Sequence, residues 1–314
     1  MSAPPRIVIC GGGAIGAAIA YFTSRRGAPT TVIERHAVAG AASGKSGGFL
    51  ALDWCRGSSL DRLARRSFEL HAELSAELGD PWGYRRLTTY GGYAVEGDTA
   101  CAAPGRPWLA GGVAITSRLG SPETTALVEP GAFTTGLMHA AEAHGALLRR
   151  GTVVELVRRP SGAARGVALA SGEIPSPEVF PRVDGTTWGC AISTLELVPV
   201  DPADVAPDQG AHARIEALCR NISPALAASP IKARQACFRP VTADGLPLMG
   251  SVSGVDGAYV ATGHSVWGML NAPATGEAMS ELILDGAARR VDLAPFAPGR
   301  LPPLDPAHLR GASG

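Results

Sequence analysis

The sequence predicts an α/β fold: a parallel sheet covered by helices, with a second, mixed-sheet α+β region interleaved into the same chain. Three observations lead to this. A β-branched run, Ile7-Val8-Ile9, is followed by a glycine cluster, a helix-length apolar stretch and a second β-branched run ending at Glu34, which is the pattern of a βαβ unit. Short β-like runs and amphipathic helical stretches then alternate along the chain. Apolar residues make up 46% of the 314 residues, enough for a sizeable core. The first region is expected to comprise residues 1–80, 130–175 and 245–290, and the second 81–129 and 176–244. Residues 291–314, with repeated prolines, are expected to form a loose tail.

Residues 6–10 read as a buried strand, because consecutive β-branched residues suit a sheet covered on both faces. Residues 14–26 read as a helix stopped by Gly27, and 30–34 as the second strand. A small-residue loop spans 39–48. Leu60, Leu63, Leu70, Leu74 and Leu78 recur at helical spacing, so 60–78 is expected to be an amphipathic helix, with Ser58 or Ser59 as its cap. His71 on that helix is expected to be structural. Strands are expected at 86–95 and 113–115, a helix at 133–144, and strands at 146–158, 166–169 and 186–192. A helix at 212–219, a strand at 258–262 and a helix at 275–284, ended by Gly286, complete the order.

Composition excludes several functions. Lys+Arg and Asp+Glu both number 28, so nothing favours a nucleic-acid partner. Arg149-Arg150 and Arg158-Arg159 read as solvated surface. The apolar runs are too short and glycine-broken to span a bilayer, so no membrane insertion is expected. The N-terminus lacks a secretory pattern, and a cytoplasmic location is expected. The six cysteines are scattered with no CxxC, which argues against a metal site or a disulfide scaffold. No Ser–His–Asp arrangement stands out.

The chemistry begins at Gly11-Gly12-Gly13-Ala14-Ile15-Gly16. This G-x-G-x-x-G lies between a predicted strand and a predicted helix, as a dinucleotide-binding turn requires. Gly11 permits the tight turn, Gly13 lets a diphosphate approach the backbone, and Gly16 lets the helix lie close to the strand. The N–H groups around Ala14 and Ile15 open the helix and favour an anion. Glu34 ends the second strand, where a carboxylate can accept hydrogen bonds from ribose hydroxyls and disfavours a 2′-phosphate; Arg35 adjoins it. FAD and NAD both remain compatible with this unit.

Three stretches together resemble the FAD-dependent oxidoreductases of the D-amino-acid oxidase family, which includes glycine and sarcosine oxidases. They are the fingerprint followed by Ala41-Ala42-Ser43-Gly44-Lys45-Ser46-Gly47-Gly48, then Phe238-Arg239-Pro240-Val241-Thr242-Ala243-Asp244-Gly245-Leu246-Pro247, then Ala261-Thr262-Gly263-His264-Ser265-Val266-Trp267-Gly268 running through Pro273 to Gly276. The run Gly48-Phe49-Leu50-Ala51-Leu52-Asp53-Trp54-Cys55 is similar to an uncharacterised eukaryotic branch. The resemblance implies a Rossmann-type FAD-binding domain, a separate substrate domain, and FAD as cofactor. It implies that Ala42, Ser43 and Gly44 wrap the pyrophosphate and flavin edge, and that Gly263, His264, Trp267 and Gly268 bring a helix N-terminus to the flavin. It implies that Arg239 pairs with a substrate carboxylate, as a guanidinium fork can. His264 is a candidate for flavin contact or proton transfer, Lys45 for the flavin or oxygen site, and Asp244 for a turn. The implied reaction is oxidation of a C–N bond in an amino acid or amine, by hydride transfer to flavin with oxygen as acceptor.

One feature departs from that pattern. Residues 171–175 pass almost directly into 177–182, where the family carries a further strand of the parallel sheet and part of the substrate domain. The expectation is an open sheet edge, exposed apolar faces and weak FAD binding. A non-catalytic, partner-binding isoform is the alternative. A nicotinamide-dependent dehydrogenase would account for the first 34 residues and leave the two C-terminal motifs without a purpose.

Overall fold

The structure is a computed structural model that describes residues 4–94, 102–103, 106–153, 178–190, 204–207 and 210–302. The chain opens with β1 (Ile7–Cys10), α1 (Ala14–Arg25) and β2 (Thr30–Glu34). A single turn α2 (Ala42–Lys45), β3 (Phe49–Ala51) and the long α3 (Asp61–Leu78) follow. Next come β4 (Arg85–Arg86), β5 (Thr89–Ala94), β6 (Ala102–Ala103), β7 (Arg106–Ala110), β8 (Val113–Gly120) and β9 (Thr125–Leu127). Helix α4 (Pro130–Ala143) leads into β10 (Leu147–Arg150). Beyond it lie β11 (Glu178–Pro181), β12 (Thr187–Cys190), α5 (Ala211–Ile222), α6 (Pro224–Ala228), β13 (Leu248–Ser251), β14 (Tyr259–Thr262) and α7 (Gly268–Asp285).

β1, β2 and β10 form the expected parallel sheet, in the order β1-β2-β10. The antiparallel pairs β3-β9-β4, β5-β8, β6-β7, β11-β12 and β13-β14 supply the mixed-sheet region. Because side chains alternate along a strand, Ile7, Ile9, Thr30 and Val32 form one face of the parallel sheet, and all are buried with the apolar residues of α1 and α4. Val8 pairs with Thr31 and Thr31 with Leu147, so these three share the opposite face. There Val8 is 61% exposed and Leu147 52%. Among the described residues, β1 has one strand neighbour and the face carrying Val8 has no cover. Residues 154–177, with the expected 166–169 strand and much of the 171–182 join, lie outside the described set.

The core is centred on α1 crossing α7. A Cβ at Gly276 would lie 2.6–2.7 Å from the backbone and Cβ of Ala18, so only glycine allows this approach. Helix α3 packs on α7 through Leu63, Leu70 and Leu74 and through an ion pair. Arg66 donates from Nε and Nη2 to the two carboxylate oxygens of Glu277, each at 2.9 Å, a bidentate geometry. The described cysteines Cys10, Cys55, Cys190, Cys219 and Cys237 are free thiols. Among the described residues no group of side chains could hold a metal, and no helix is long and apolar enough to cross a membrane.

Several boundaries differ from expectation for identifiable reasons. Helix α3 is not capped by a serine: Leu60 is its N-cap, and the Ser58 hydroxyl instead accepts from Leu60 N–H in the preceding turn. The 86–95 stretch divides into β4 and β5, because β4 pairs with β9 while β5 pairs with β8; Val95 lies outside the described residues. Helix α7 begins seven residues before the expected position. The tail is not loose as far as residue 302. Phe296 is buried, and Arg300 is chelated by Asp244, through Nε to Oδ2 at 2.6 Å and Nη2 to Oδ1 at 2.9 Å. Its guanidinium also donates to the carbonyls of Leu246, Pro247 and Ala297.

Candidate active site

The glycine turn has the geometry its spacing requires. Gly11 has φ +110°, a conformation that side chains oppose. A Cβ at Gly16 would lie 2.0 Å from the Gly11 carbonyl oxygen and 3.4 Å from Ile9 Cγ2, so Gly16 permits the close passage of α1 over β1. At Gly13 a Cβ would meet only Ser43 Oγ within 4 Å, at 3.1 Å, which leaves the backbone approachable. Gly13 is also the N-cap of α1, with no side-chain cap of its own and no acidic residue in the first turn. The positive end of the helix therefore faces this turn without a cap from Gly13 itself.

Glu34 ends β2 beside this turn. Its Oε2 accepts from Gly12 N–H at 2.7 Å and its Oε1 from His36 N–H at 2.8 Å. Arg35 follows on the exposed side. Ser43, from the small-residue loop, accepts from Ala14 N–H at 2.9 Å. The loop is tightly wound: a Cβ at Gly44 would lie 2.2 Å from the Ala39 carbonyl oxygen. The structure thus brings Gly11, Gly13, Ala14, Ile15, Gly16, Glu34, Arg35, Ala42, Ser43 and Gly44 to one end of β1 and β2.

One backbone-directed bond ties this loop to the segment before the second motif, and another ties the second motif to the third. Lys45 Nζ donates to the Ala236 carbonyl at 2.9 Å, and Ser265 N–H donates to the Pro240 carbonyl at 2.8 Å. Arg239 is therefore held between the small-residue loop and the turn that starts α7. It is exposed, on the segment 230–242, which has no regular structure. Lys45 and Arg239 both act electrostatically on the Cys237 thiol, whose pKa burial raises and these cations lower. Gly263 has φ +78°, and a Cβ there would lie 2.6 Å from Thr242 Cγ2, so the second and third motifs touch directly. Asp244 makes the expected turn, accepting from Leu246 N–H, and the Arg300 guanidinium holds its carboxyl well below the usual range.

Helix α7 owes its early start to α3. Pro273 lies inside it and has no N–H, so the Met269 carbonyl four residues back has no helical donor. His71 Nε2 lies 3.0 Å from that carbonyl and 3.2 Å from the carbonyl of Leu270. A carbonyl only accepts, so Nε2 carries the proton. One turn earlier on α3, Ser67 Oγ accepts from Ala274 N–H at 3.0 Å. Side chains of one helix thus complete the backbone of another. His71 is fully buried and its Nδ1 has no partner. Burial lowers its pKa from 6.5 to about 4, against the opposing pull of the two carbonyls.

His264, 3% exposed, bonds through Nε2 to Thr275 Oγ1 at 3.0 Å, and burial lowers its pKa from 6.5 to about 4. It packs the start of α7 as a neutral ring. Trp267 is the N-cap of α7 and Gly268 its first residue, again with no side-chain cap and no acidic residue in the first turn. Four residues in, the Asn271 side chain is buried with its amide nitrogen and oxygen both unpaired. The α1 and α7 N-termini are therefore two positive helix ends whose own N-cap residues supply no side-chain cap, one beside a glycine cradle.

Residues 6–180 and 176–282 match the profile of the family described as FAD dependent oxidoreductase. The chain belongs to that family. Members of this family use FAD, and the cradle, the two positive helix ends and the orphaned Asn271 amide fit a long, anionic dinucleotide whose two halves are gripped by distant parts of the chain. A putative oxidoreductase of Schizosaccharomyces pombe is 27% identical over 379 aligned positions, covering 93% of this chain and 97% of the relative. That alignment is longer than the 314-residue chain, so the relative carries stretches that this family member lacks. Glycine oxidase of Pseudomonas aeruginosa is 35% identical over 39% of this chain and 32% of its own length. Glycine oxidase of Geobacillus kaustophilus shares the fold with a TM-score of 0.71 at 21% identity, over 94% of this chain and 98% of that one.

Sequence reasoning missed Ser67 as a site-supporting residue and treated His71 only as packing. A signal existed: both lie on the apolar face of α3, one turn apart and in phase with Leu63, Leu70 and Leu74. A polar pair in a buried stripe calls for unsatisfied groups opposite.

Proposed function

We propose that this FAD-dependent oxidoreductase oxidises the C–N bond of an amino acid or amine, with oxygen as the final electron acceptor. The observation that carries this reading is the convergence of three segments: Ser43 and Lys45, Arg239 and Pro240, and Gly263 to Gly268, joined through Ala14, Ala236 and Ser265. Residues 1–80, 130–175 and 245–290 form the FAD-binding part in this reading, and 81–129 with 176–244 the substrate part.

Bound FAD supplies the two-electron acceptor. The protein places the reacting groups. The backbone N–H groups of Gly13 to Gly16, with Ser43 at the same end of α1, would hold the diphosphate. Glu34 would accept from ribose hydroxyls. The α7 N-terminus, from Trp267 and Gly268, would stabilise negative charge on the flavin. Arg239 holds the substrate carboxylate with a fork of donors, and Lys45 adds positive charge on the same side. His264 keeps the turn in place as a neutral, buried ring rather than carrying a proton.

Purified protein is titrated with FAD and its visible spectrum recorded before and after anaerobic addition of amino acids and amines. Bleaching of the flavin bands by one class of compound supports the reading. Bound flavin that no amine or amino acid reduces overturns it and favours the non-catalytic alternative. FAD affinity is expected to fall below that of longer family members, because this chain lacks stretches that they carry.

A further inference from the structure

Three of the five tryptophans and two of the seven phenylalanines lie together between the β11–β12 hairpin and the turn that starts α7. They form a row. Trp188 stacks on Phe180, with centroids 5.8 Å apart and planes 16° from parallel. Phe180 stacks on Phe49 at 5.4 Å and 8°. Phe49 meets Trp54 at 5.0 Å, and Trp54 meets the edge of Trp267 at 6.4 Å. The rings come from β12, β11, β3, the turn after β3 and the turn before α7. None is buried, whereas Phe68, Trp82, Phe133 and Phe296 fill the core.

Both ends of the row reach the candidate site. Trp188 Nε1 donates to the Lys45 carbonyl at 3.2 Å, and Trp267 immediately precedes α7. A Cβ at Gly47 would lie 2.7 Å from Phe180 and 2.9 Å from Trp188, so the β11-β12 hairpin rests flat against the loop that follows Lys45. Trp54 is 42% exposed and the other four rings are half-buried; a contiguous, partly exposed apolar surface of this kind marks a binding surface.

We propose that this row is the wall that recognises the substrate side chain, and that the substrate carries an aromatic or comparably bulky apolar group. The inference rests on the C–N oxidation proposed above and specifies its substrate. The three near-parallel rings stack on one another, so the row offers ring edges and the exposed indole of Trp54 to a planar group in an edge-to-face arrangement. They do not surround a point on several sides, as an aromatic cage for an ammonium does. The charged neighbours agree. Lys45 Nζ is held at the Ala236 carbonyl, three residues before Arg239, while Arg182, which donates to the Ser46 carbonyl at 3.0 Å, is ion-paired with Glu129 at 3.3 Å. The cations Lys45 and Arg239 suit a carboxylate and disfavour a second cation.

The test compares anaerobic flavin bleaching of the FAD-loaded protein by phenylalanine, tryptophan, their N-methyl derivatives and phenethylamine with bleaching by glycine, alanine and sarcosine. In parallel, protein fluorescence is titrated with benzoate and with acetate. Aromatic compounds are expected to react with kcat/KM about tenfold or more above the small ones, and benzoate to bind about tenfold tighter than acetate. Phe180→Ala and Trp54→Ala, made separately, are each expected to lower both ratios several-fold. Trp108→Ala, exposed on β7 and outside the row, is expected to leave them unchanged. Equal reaction with small and aromatic compounds overturns the proposal while sparing C–N oxidation. Absence of all bleaching with a benzoate preference that Phe180→Ala removes overturns C–N oxidation and leaves the wall standing. No benzoate preference overturns the wall.

Discussion

Acid should destabilise this protein in a pH range where its carboxylates contribute little. His71 and His264 are buried and neutral, each with a pKa lowered from 6.5 to about 4. Protonating His71 would place an N–H at Nδ1, which has no partner, and a charge in the core. The unfolded chain binds protons near 6.5 and the folded chain only near 4, so the stability held above pH 6.5 is lost as pH falls toward 4. Between pH 7 and pH 5 this linkage removes about 2 kcal/mol per histidine, or about 4 kcal/mol for the pair. Asp184 and Asp244 have carboxyls held below their ordinary range and act at lower pH. Urea unfolding at pH 7.0, 6.0 and 5.0 measures the loss. His71→Gln keeps a donor near the Met269 and Leu270 carbonyls and removes the titration, so it should halve the pH dependence with little change at pH 7. His71→Phe loses the donor and should cost about 1–3 kcal/mol at pH 7 as well. A wild-type stability that is flat from pH 7 to pH 5, or a pH dependence unchanged in His71→Gln, would refute the buried neutral ring.

Other substitutions test other contacts. Gly276→Ala forces a Cβ to within 2.6–2.7 Å of Ala18 and is expected to cost about 1–3 kcal/mol by separating α1 from α7, measured as a shift in urea midpoint; an unshifted midpoint would contradict that crossing. Val32→Thr, at a fully buried position, should cost at least 1 kcal/mol on the order of a buried hydroxyl penalty, whereas Val8→Thr on the open face should cost less than about 0.5 kcal/mol and reduce aggregation in light scattering. Equal costs at the two positions would show that the Val8 face is covered in solution. Arg300→Ala removes the bidentate pair with Asp244 and three carbonyl contacts. It is expected to lower stability by about 1–3 kcal/mol and to speed proteolysis near residue 300; no change in either would return the tail to a loose segment.

The elements that sequence reasoning placed well are those whose cause is local. Gly11 and Gly16 were assignable because a positive φ and a close helix–strand approach are properties of the backbone at those positions, and a βαβ unit permits few other arrangements. The strands β1 and β2 follow from their β-branched runs, α1 from the glycine that stops it, and α3 from its leucine spacing. The convergence of the three motifs was legible through the family resemblance, although its bonds, from Lys45 to Ala236 and from Ser265 to Pro240, were not.

Tertiary contacts decided the rest. Gly268, Pro273 and Gly276 read locally as breakers, so α7 was expected to begin at residue 275; His71, 198 residues away in sequence, satisfies the carbonyl that Pro273 leaves open, and the helix begins at Gly268. The prolines after residue 294 read as a loose tail, yet Phe296 enters the core and Asp244 captures Arg300. The aromatic row was invisible in the sequence because its rings come from separate segments that only packing brings into line. Sequence alone determined the dinucleotide turn, since glycine conformations and strand–helix patterns are written residue by residue, and the family through the resemblance of its three motifs. Where a hydrogen-bond partner or a stacked ring comes from a distant segment, only the folded chain could decide.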